Sequence, residues 1–316
     1  MSNPMSKPPA PDRSEAPEAL LKRLEWTVIR RLDGLLHGSH RTLFRGAGLD
    51  LAELREYQIH DDVRHIDWNV TARLDIPHVR QFHEDRDVIA WFLLDLSPSV
   101  DFGTSGSKRD VLIQFVTVLT RVLTRHGNPV GVMFYGDGFE GVIPPRTGRR
   151  HVLHVLETLN TRPALARAPT TDLGALIRAA AQMIRRRSLV FLVSDFISTP
   201  GWLKPLTDLS RRHETVAIRL ADPAERDLPR IGLAVVEDAE TGEQMFVDTE
   251  DRAFRARFAG VAERRETEIR TGFAHAGIDA MELATDDDLM DSLLRFATLR
   301  KRRITTAGAG RLEAMA

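Results

Sequence analysis

Residues 88–99 read VIAWFLLDLSPS, and this stretch decides the fold. An unbroken apolar run of strand length, Val88 to Leu94, is typical of a strand that is buried on both faces of a parallel sheet. The run ends in Asp95, and Ser97 and Ser99 follow at alternate positions. In an open parallel sheet, ligands bind beyond the carboxyl ends of the strands, so these side chains are the first candidates for a functional site.

The chain after residue 87 alternates apolar runs with helical stretches. Strand-type runs are found at Val88–Asp95, Val130–Tyr135, Leu189–Asp195, Thr215–Leu220 and Asp279–Leu283, and helical patterns at Lys108–Arg125, Arg150–Leu159, Leu173–Arg186, Leu203–Arg212, Asp251–Ala274 and Asp286–Arg300. Parallel strands need such helical crossovers. The sequence therefore predicts an α/β fold with a doubly wound, mostly parallel sheet, together with a short strand and turn near residues 138–145 and a hairpin at Leu233–Glu237 and Gln244–Val247.

The bulk composition excludes several classes of function. Lysine and arginine total 44 against 45 aspartate and glutamate, a net charge of -1, so no general attraction to nucleic acid or to a membrane surface is expected. The chain has no cysteine, which excludes disulfides and thiolate metal sites and fits the cytoplasm. Its longest apolar runs fall far short of the roughly 20 residues that span a bilayer, so we expect no membrane span.

Two further residues with side-chain oxygen atoms are expected near the end of the first strand. Asp195 follows the apolar run from Leu189, and Thr171 stands in a TTDL sequence before a predicted helix, where it could instead cap that helix. Carboxylate and hydroxyl oxygens suit a hard cation, Mg²⁺ or else Mn²⁺ or Ca²⁺. Hydroxyl ligands leave such an ion electron-poor, so a carboxylate that a partner protein offers would complete its coordination.

The order Asp95-x-Ser97-x-Ser99, Thr171, Asp195 resembles the metal-ion-dependent adhesion site of von Willebrand A domains. The resemblance implies a von Willebrand A (Rossmann-like) fold and assigns all five residues as metal ligands. It also implies a protein-binding module without catalytic residues.

A second resemblance comes from the segment before the sheet. Residues 45–48 read RGAG and residues 60–68 read HDDVRHIDW, similar to the signature of the bacterial family of unknown function 58 (DUF58). The family pattern has glycine where His60 stands, which puts the local loop conformation in doubt because histidine adopts a positive φ less readily. The resemblance implies a partner ATPase of the MoxR-type AAA+ class and an adaptor role in the assembly or activation of an unknown client protein.

The signature segment has two physical interpretations. Its members alternate in charge with aromatic side chains between them: Arg55, Tyr57, Asp61, Asp62, Arg64, Asp67, Trp68 and Arg73. They could form a buried ion network that holds an irregular segment against the domain. They could also be a docking surface for the ATPase, since arginine, tyrosine and tryptophan are common interface anchors. Both roles can coexist.

The predicted organisation has five parts. Residues 1–17 form a Pro-rich disordered tail, 18–86 an amphipathic helix and the signature segment, and 87–222 the von Willebrand A-like domain. Residues 223–303 form a hairpin and helices packed on the same domain, and 304–316 a second disordered tail.

Two other classes of function compete with the binding module. A metal-dependent phosphohydrolase could use Asp95 as its nucleophile, but serine stands at position 97 where the haloacid-dehalogenase pattern wants a second aspartate. Nucleic-acid binding could use the basic runs at residues 185–187 and 300–303. The first run is expected to end a helix and neither contains stacking aromatics, so we predict no nucleic-acid partner.

Overall fold

The computed structural model describes residues 54–57, 66, 68–74, 76–80, 88–165, 168, 170–238, 240–296 and 298–300. The predicted helix over residues 18–36, both predicted tails and His60 lie outside these residues. Two short strands that pair with each other, β1 (Leu54–Glu56) and β2 (His78–Arg80), precede the main sheet, and helix α1 (Trp68–Leu74) lies between them in sequence.

The main body alternates strands and helices as the sequence predicts. Its elements are β3 (Ala90–Asp95), α2 (Lys108–Arg125), β4 (Val130–Tyr135), β5 (Phe139–Arg146), α3 (Arg149–Thr161), α4 (Leu173–Met183), β6 (Leu189–Ser194), α5 (Leu203–Arg212), β7 (Glu214–Ala221), β8 (Leu233–Glu237), β9 (Gln244–Asp248), α6 (Arg252–Ala276) and β10 (Asp279–Ala284). A final helix, α7, covers residues 289–296 and 298–300. Most of these bounds lie within two residues of the predicted ones.

Six strands form the central sheet in the order β10-β7-β6-β3-β4-β5. All neighbours are parallel except β5, which runs antiparallel to β4 at the edge. The chain leaves β3 toward β4 and β5 and later returns to the other side of β3 with β6. This confirms the predicted doubly wound, mostly parallel sheet, and it places the reversal of strand order between β3 and β6, where such sheets bind ligands.

Both faces of the sheet are covered, because successive side chains of each strand point to opposite sides. Phe92 lies in the core formed with α2, α3 and α7, and its ring stacks on that of Phe191 with centroids 5.0 Å apart. The next residue of the same strand, Leu93, lies in the core formed with α4, α5 and α6. Burial on both faces explains why β3, β4 and β6 are continuous apolar runs.

Helix α4 begins at Leu173 as predicted, but its end and its capping residue differ from the prediction. It ends at Met183, not Arg186, and Ile184 leaves the helix with extended backbone and is buried in the core. The three arginines at residues 185–187 therefore lie exposed in the loop before β6, and the prediction that they end a helix is wrong. At the other end Asp172 is the cap, because its side chain accepts from the backbone N–H of Ala175 at 3.0 Å, so the alternative that Thr171 caps this helix is wrong as well.

The region after residue 222 contributes to two sheets. Strand β10 pairs in parallel with β7 and extends the central sheet, whereas among the described strands β8 and β9 pair only with each other. Much of this separate ribbon is open to solvent, since Leu233 and Phe246 are each 82% exposed. Among the described residues, no helix is long and apolar enough to cross a membrane.

Candidate functional site

The carboxyl end of β3 contributes three of the five predicted ligands. Asp95 is the last residue of the strand and is fully buried. The chain then turns into a short 3₁₀ helix, Pro98–Asp101, and the backbone N–H of Ser97 donates to Oδ1 of Asp95 at 3.1 Å. The hydroxyl oxygens of Ser97 and Ser99 are 3.2 Å apart, and both residues are buried. The alternate spacing thus brings these three side chains into one group.

The neighbouring strand β6 ends beside this group. The hydroxyl of Ser194 donates to Oδ2 of Asp95 at 2.6 Å and joins the two strand ends across the switch point. Asp195 follows, also buried, and its Oδ1 accepts from the backbone N–H of Ile197 at 2.9 Å. The next residue, Phe196, has a φ of 58°, a left-handed conformation that is uncommon for a bulky side chain. Its ring packs against Trp202 and Phe273, and this packing stabilises the turn.

Thr171 reaches the same edge from the loop before α4. Its carbonyl accepts from the backbone N–H of Thr199 and from the hydroxyl of Ser198, both at 2.9 Å, so the loop is tied to the chain that follows β6. Its own hydroxyl is buried and donates to Oε1 of Glu240 at 2.9 Å. Glu240 belongs to the turn between β8 and β9, so the separate ribbon contributes a carboxylate to this site.

A lysine balances part of the negative charge. Nζ of Lys108, the first residue of α2, donates to Oδ2 of Asp195 at 2.7 Å and to Oε1 of Glu225 at 2.5 Å. Burial disfavours the charged ammonium, but the carboxylates of Asp195 and Glu225 outweigh that effect and raise the pKa of Lys108 above its usual value. Lys108 therefore stays charged and holds Asp195 in place.

Two carboxyl groups of the site carry a raised pKa. Burial and, second, the charge of Asp195 raise the pKa of Asp95 from 3.8 to about 6, although hydrogen bonds from Ser194 and Ser97 oppose the rise. Burial raises the pKa of Glu240 as well, and the charge of Asp195 adds to it, while the hydrogen bond from Thr171 opposes it. Both carboxylates would be stabilised by an added positive charge.

The donor set fits a hard divalent cation. Two carboxylates and three hydroxyls, all buried, come together at the switch point from β3, β6 and the loop before α4. Oxygen donors of this kind suit Mg²⁺, which takes few carboxylates directly. Within the part of the chain that the structure describes, no three or more His, Asp or Glu side chains are grouped so as to hold a metal ion by themselves. The three hydroxyls are accordingly part of the candidate set.

The signature segment is described only in part. Tyr57 is half-buried and its backbone N–H donates to the carbonyl of Pro77 at 2.8 Å, while Arg55 lies in β1. Trp68 begins α1 and is 70% exposed, and Arg73 in the last turn is exposed too. The buried ion network therefore does not include Trp68 as an anchor. The other members, Asp61, Asp62, Arg64 and Asp67, lie outside the described residues.

Sequence reasoning missed three side chains of the site: Lys108, Ser194 and Glu240. Lys108 was predicted only as the start of a helix, and Glu240 only as part of a hairpin turn. Their partners lie 87 and 69 positions away in the chain, so no local spacing reveals the contacts. Ser194 stands beside Asp195 at the strand end, and that position was a usable signal, because side chains at the ends of parallel strands meet at one edge.

The fold and site define a doubly wound α/β protein with a candidate cation site where the strand order reverses. Residues 53–268 match the family model described as "Protein of unknown function DUF58". The chain is 37% identical over 285 residues to the uncharacterized proteins Mb1516 of Mycobacterium bovis and Rv1480 of Mycobacterium tuberculosis, which covers 90% of each chain. The chain therefore belongs to the DUF58 family, as its signature predicts.

One further relative is the "Uncharacterized protein in moxR 3'region" of Paracoccus denitrificans, 33% identical over 100 residues, which cover 31% of this chain and 94% of that protein. Similar solved structures include an aerotolerance-related membrane protein from Bacteroides fragilis, with 13% identity, a TM-score of 0.43 and coverage of 68% of this chain and 99% of that one. The SpRpn10 VWA domain has 12% identity, a TM-score of 0.36 and coverage of 66% and 94%. The fold assigned above rests on the topology of the sheet itself.

Proposed function

We propose that this protein is a divalent-cation-dependent protein-binding module that performs no chemistry itself and acts as an adaptor for a MoxR-type AAA+ ATPase in the cytoplasm. The observation that carries the proposal is the convergence of Asp95, Ser97, Ser99, Thr171 and Asp195 at the switch point between β3 and β6. These residues would hold Mg²⁺, Mn²⁺ or Ca²⁺. When bound, the cation supplies a positive centre that accepts a carboxylate from a partner protein.

The protein's own residues prepare this arrangement. Ser194 and the backbone N–H of Ser97 each donate to one oxygen of Asp95, which fixes the orientation of that carboxylate. Lys108 does the same for Asp195 through a buried ion pair. Groups that are held by packing and hydrogen bonds lose little freedom when they bind a ligand, so the site is preorganised.

A non-enzymatic role is supported by the environment of Asp95. The carboxylate is fully buried and both of its oxygens already accept hydrogen bonds, whereas a phosphohydrolase nucleophile must be open to its substrate. The phosphohydrolase alternative predicts cation-dependent hydrolysis of p-nitrophenyl phosphate that disappears in Asp95→Asn. The adaptor proposal predicts no hydrolysis in either protein.

Two observations support the ATPase partner. The relative from Paracoccus denitrificans carries the moxR region in its name, and it matches a stretch of this chain at 33% identity. Trp68 of the signature segment is exposed, as a residue that docks on a partner must be. The client protein on which such an ATPase acts would bind at the cation site.

The first experiment is a titration of the purified protein with Mg²⁺ and Mn²⁺, followed by thermal unfolding. Wild type is expected to gain stability with cation concentration because only the folded state offers the ligands. Asp95→Ala should show no gain, and the exposed Asp137→Ala, altered in the turn after β4 at the same edge of the sheet, should behave as wild type. An equal response of Asp95→Ala and wild type would refute the assigned site.

A further inference from the structure

The tip of the β8–β9 ribbon enters the candidate cation site through one side chain. Glu240 is 9% exposed, although Asp238, Thr241 and most residues of both strands are exposed. Its Oε1 accepts from the hydroxyl of Thr171 at 2.9 Å, and its carbonyl accepts from the backbone N–H of Ala168 at 3.4 Å. A carboxylate in a hairpin turn is normally solvated, so its burial here calls for a physical reason.

The second carboxylate oxygen is poorly compensated. Among the described residues, Oε2 of Glu240 is buried and has no hydrogen-bond partner in good geometry, and the nearby Ser99 hydroxyl, itself a predicted ligand, is a further polar group that stabilises the ionised carboxylate. Lys108 does not compensate this charge, because it is bound to Asp195 and Glu225. A buried carboxylate oxygen without a donor is unfavourable, and a bound water molecule or ion is one physical reason for such a group.

The turn itself aims Glu240 inward. Oδ1 of Asp238 accepts from the backbone N–H groups of Glu240 and Thr241 at 3.0 and 2.7 Å and from the hydroxyl of Thr241 at 3.0 Å. These bonds order the turn before any ligand is present. The ribbon pairs with no other described strand, and most of its side chains are exposed, with Val247 as a buried exception.

We infer that Glu240 is an internal ligand of the cation site, which occupies the position that a partner's carboxylate would otherwise take. The inference rests on the proposed function, because it assumes that Asp95 and its neighbours bind a cation. Within the described residues the carboxylates alone do not form a metal-binding group, so Glu240 would complete a set that also needs the hydroxyls of Ser97, Ser99 and Thr171. Thr171 would then contact both the cation and Glu240, and Oε2 would gain the positive charge that it lacks. A partner's carboxylate reaches the cation only when the ribbon withdraws and takes Glu240 with it.

The test uses Mn²⁺ alone with the whole 316-residue chain. Calorimetry measures its affinity, and water-proton relaxation measures how many water molecules remain on the bound ion. Loss of even an outer partner of a metal ligand costs about 10- to 100-fold in affinity, so Glu240→Gln is expected to weaken Mn²⁺ binding at least about tenfold. It should also add one water to the bound ion. Glu243→Gln, an exposed carboxylate in the same turn, is the matched control and should behave as wild type.

A second probe tests whether Glu240 excludes other carboxylates. Mn²⁺ on the protein should broaden the ¹³C signal of added acetate in Glu240→Gln and leave it sharp in wild type, because only the variant has a free position on the ion. Glu240→Asp keeps the charge but shortens the side chain by one methylene, and it should resemble Glu240→Gln. Thermal unfolding without cation confirms that each variant is folded.

The outcomes separate the two proposals. If Glu240→Gln binds Mn²⁺ with wild-type affinity and wild-type hydration while Asp95→Ala does not bind, Glu240 is not a ligand and the cation site stands. If wild type and Asp95→Ala bind no Mn²⁺ at all, the cation site itself fails and the internal ligand fails with it. Equal acetate broadening in wild type and Glu240→Gln would show that Glu240 occupies no position on the ion.

Discussion

Lys108 and Asp195 form a buried ion pair that joins the start of α2 to the end of β6. The distance from Nζ to Oδ2 is 2.7 Å, and neither side chain is exposed to solvent. The two residues are 87 positions apart in the chain. The pair therefore fixes one carboxylate of the candidate site through tertiary structure alone. Its removal is expected to lower the free energy of unfolding.

Lys108→Met should destabilise the protein by about 3–5 kcal/mol, because it leaves the Asp195 carboxylate buried without its counter-charge. Denaturant-induced unfolding at pH 7 measures the loss. Lys108→Met combined with Asp195→Asn removes both charges of this pair and should recover part of the loss, because Glu225 still lacks its ammonium partner. If Lys108→Met alone were as stable as wild type, the ion pair would contribute no stability.

Asp95→Asn should stabilise the protein at neutral pH when cations are removed with a chelator. The pKa of Asp95 is raised from 3.8 to about 6 in the folded state, so the ionised carboxylate costs up to about 3 kcal/mol above pH 6. This cost decreases as the pH falls from 6 and is absent below 3.8, where both states are protonated. Unfolding of both proteins at pH 4 and pH 7 should therefore show a difference only at pH 7. Saturating Mg²⁺ should reverse the order, since the cation binds the ionised carboxylate.

Thr285→Val should destabilise the protein by about 1.5–3 kcal/mol at pH 7, the usual contribution of a hydrogen bond to a charged group. The Thr285 hydroxyl donates to Oδ2 of the buried Asp222 at 2.5 Å. Burial alone would raise the pKa of Asp222, but the bonds from Thr285, Thr104 and Ala224 outweigh it and hold the pKa below 3.8. This stabilisation is complete above pH 3.8 and is lost as the pH falls through the lower folded-state value.

The measurement for Asp222 is the difference in unfolding free energy between wild type and Thr285→Val at pH 7 and at pH 3. The difference should be smaller at pH 3. Thr298→Val removes an exposed hydroxyl that bonds only its own helix at Leu294, and it is the matched control. If Thr285→Val lost the same unfolding free energy at pH 7 and at pH 3, the hydrogen bond would not depend on the charge of Asp222.

Trp68→Ala should leave stability within about 0.5 kcal/mol of wild type, because the side chain is 70% exposed. If the signature segment docks on the ATPase, the same variant should lose at least about 2 kcal/mol of binding free energy, as interface anchors do. Thermal unfolding and calorimetric titration with the MoxR-type ATPase measure the two effects. Phe246→Ala, which removes an exposed aromatic side chain from the β8–β9 ribbon, controls for general loss of surface hydrophobicity.

Much of the sheet could be predicted because local patterns determine it. Strand β4 and helices α2 and α5 have the predicted bounds. Strand β4 is a short apolar run buried on both faces, α2 starts at a capping box formed by Ser107 and Asp110, and α5 has an apolar stripe. Each of these signals lies within a few residues of the sequence. The five predicted ligands meet at one edge for the same reason, because strand ends of a parallel sheet share an edge.

What the sequence could not predict depends on distant partners. The end of α4 at Met183 follows from the burial of Ile184 in a core that α5 and α6 help to form. Asp172 and Thr171 are both acceptable helix caps by residue type. Their roles are distinguished by the bond that the Asp172 side chain accepts from Ala175 and by the bond of Thr171 to Glu240. The sequence around Lys108 predicts only the start of a helix, and the sequence around Glu240 predicts only a turn. Neither local pattern indicates that the side chain reaches the site.

The reversal of strand order between β3 and β6 also sets the order in which the protein can assemble. Strands β3, β4 and β5 follow one another closely in the chain, but Ser194 meets Asp95 across 99 positions. Closing that longer loop costs more chain entropy, so we expect the pairing of β6 with β3 to follow the pairing of β3 with β4. A nascent chain that has released β3 to β5 from the ribosome would hold only three of the five ligands. Cation uptake would then report that β6 has joined β3, and a partner that requires the cation would bind only molecules that have passed this step.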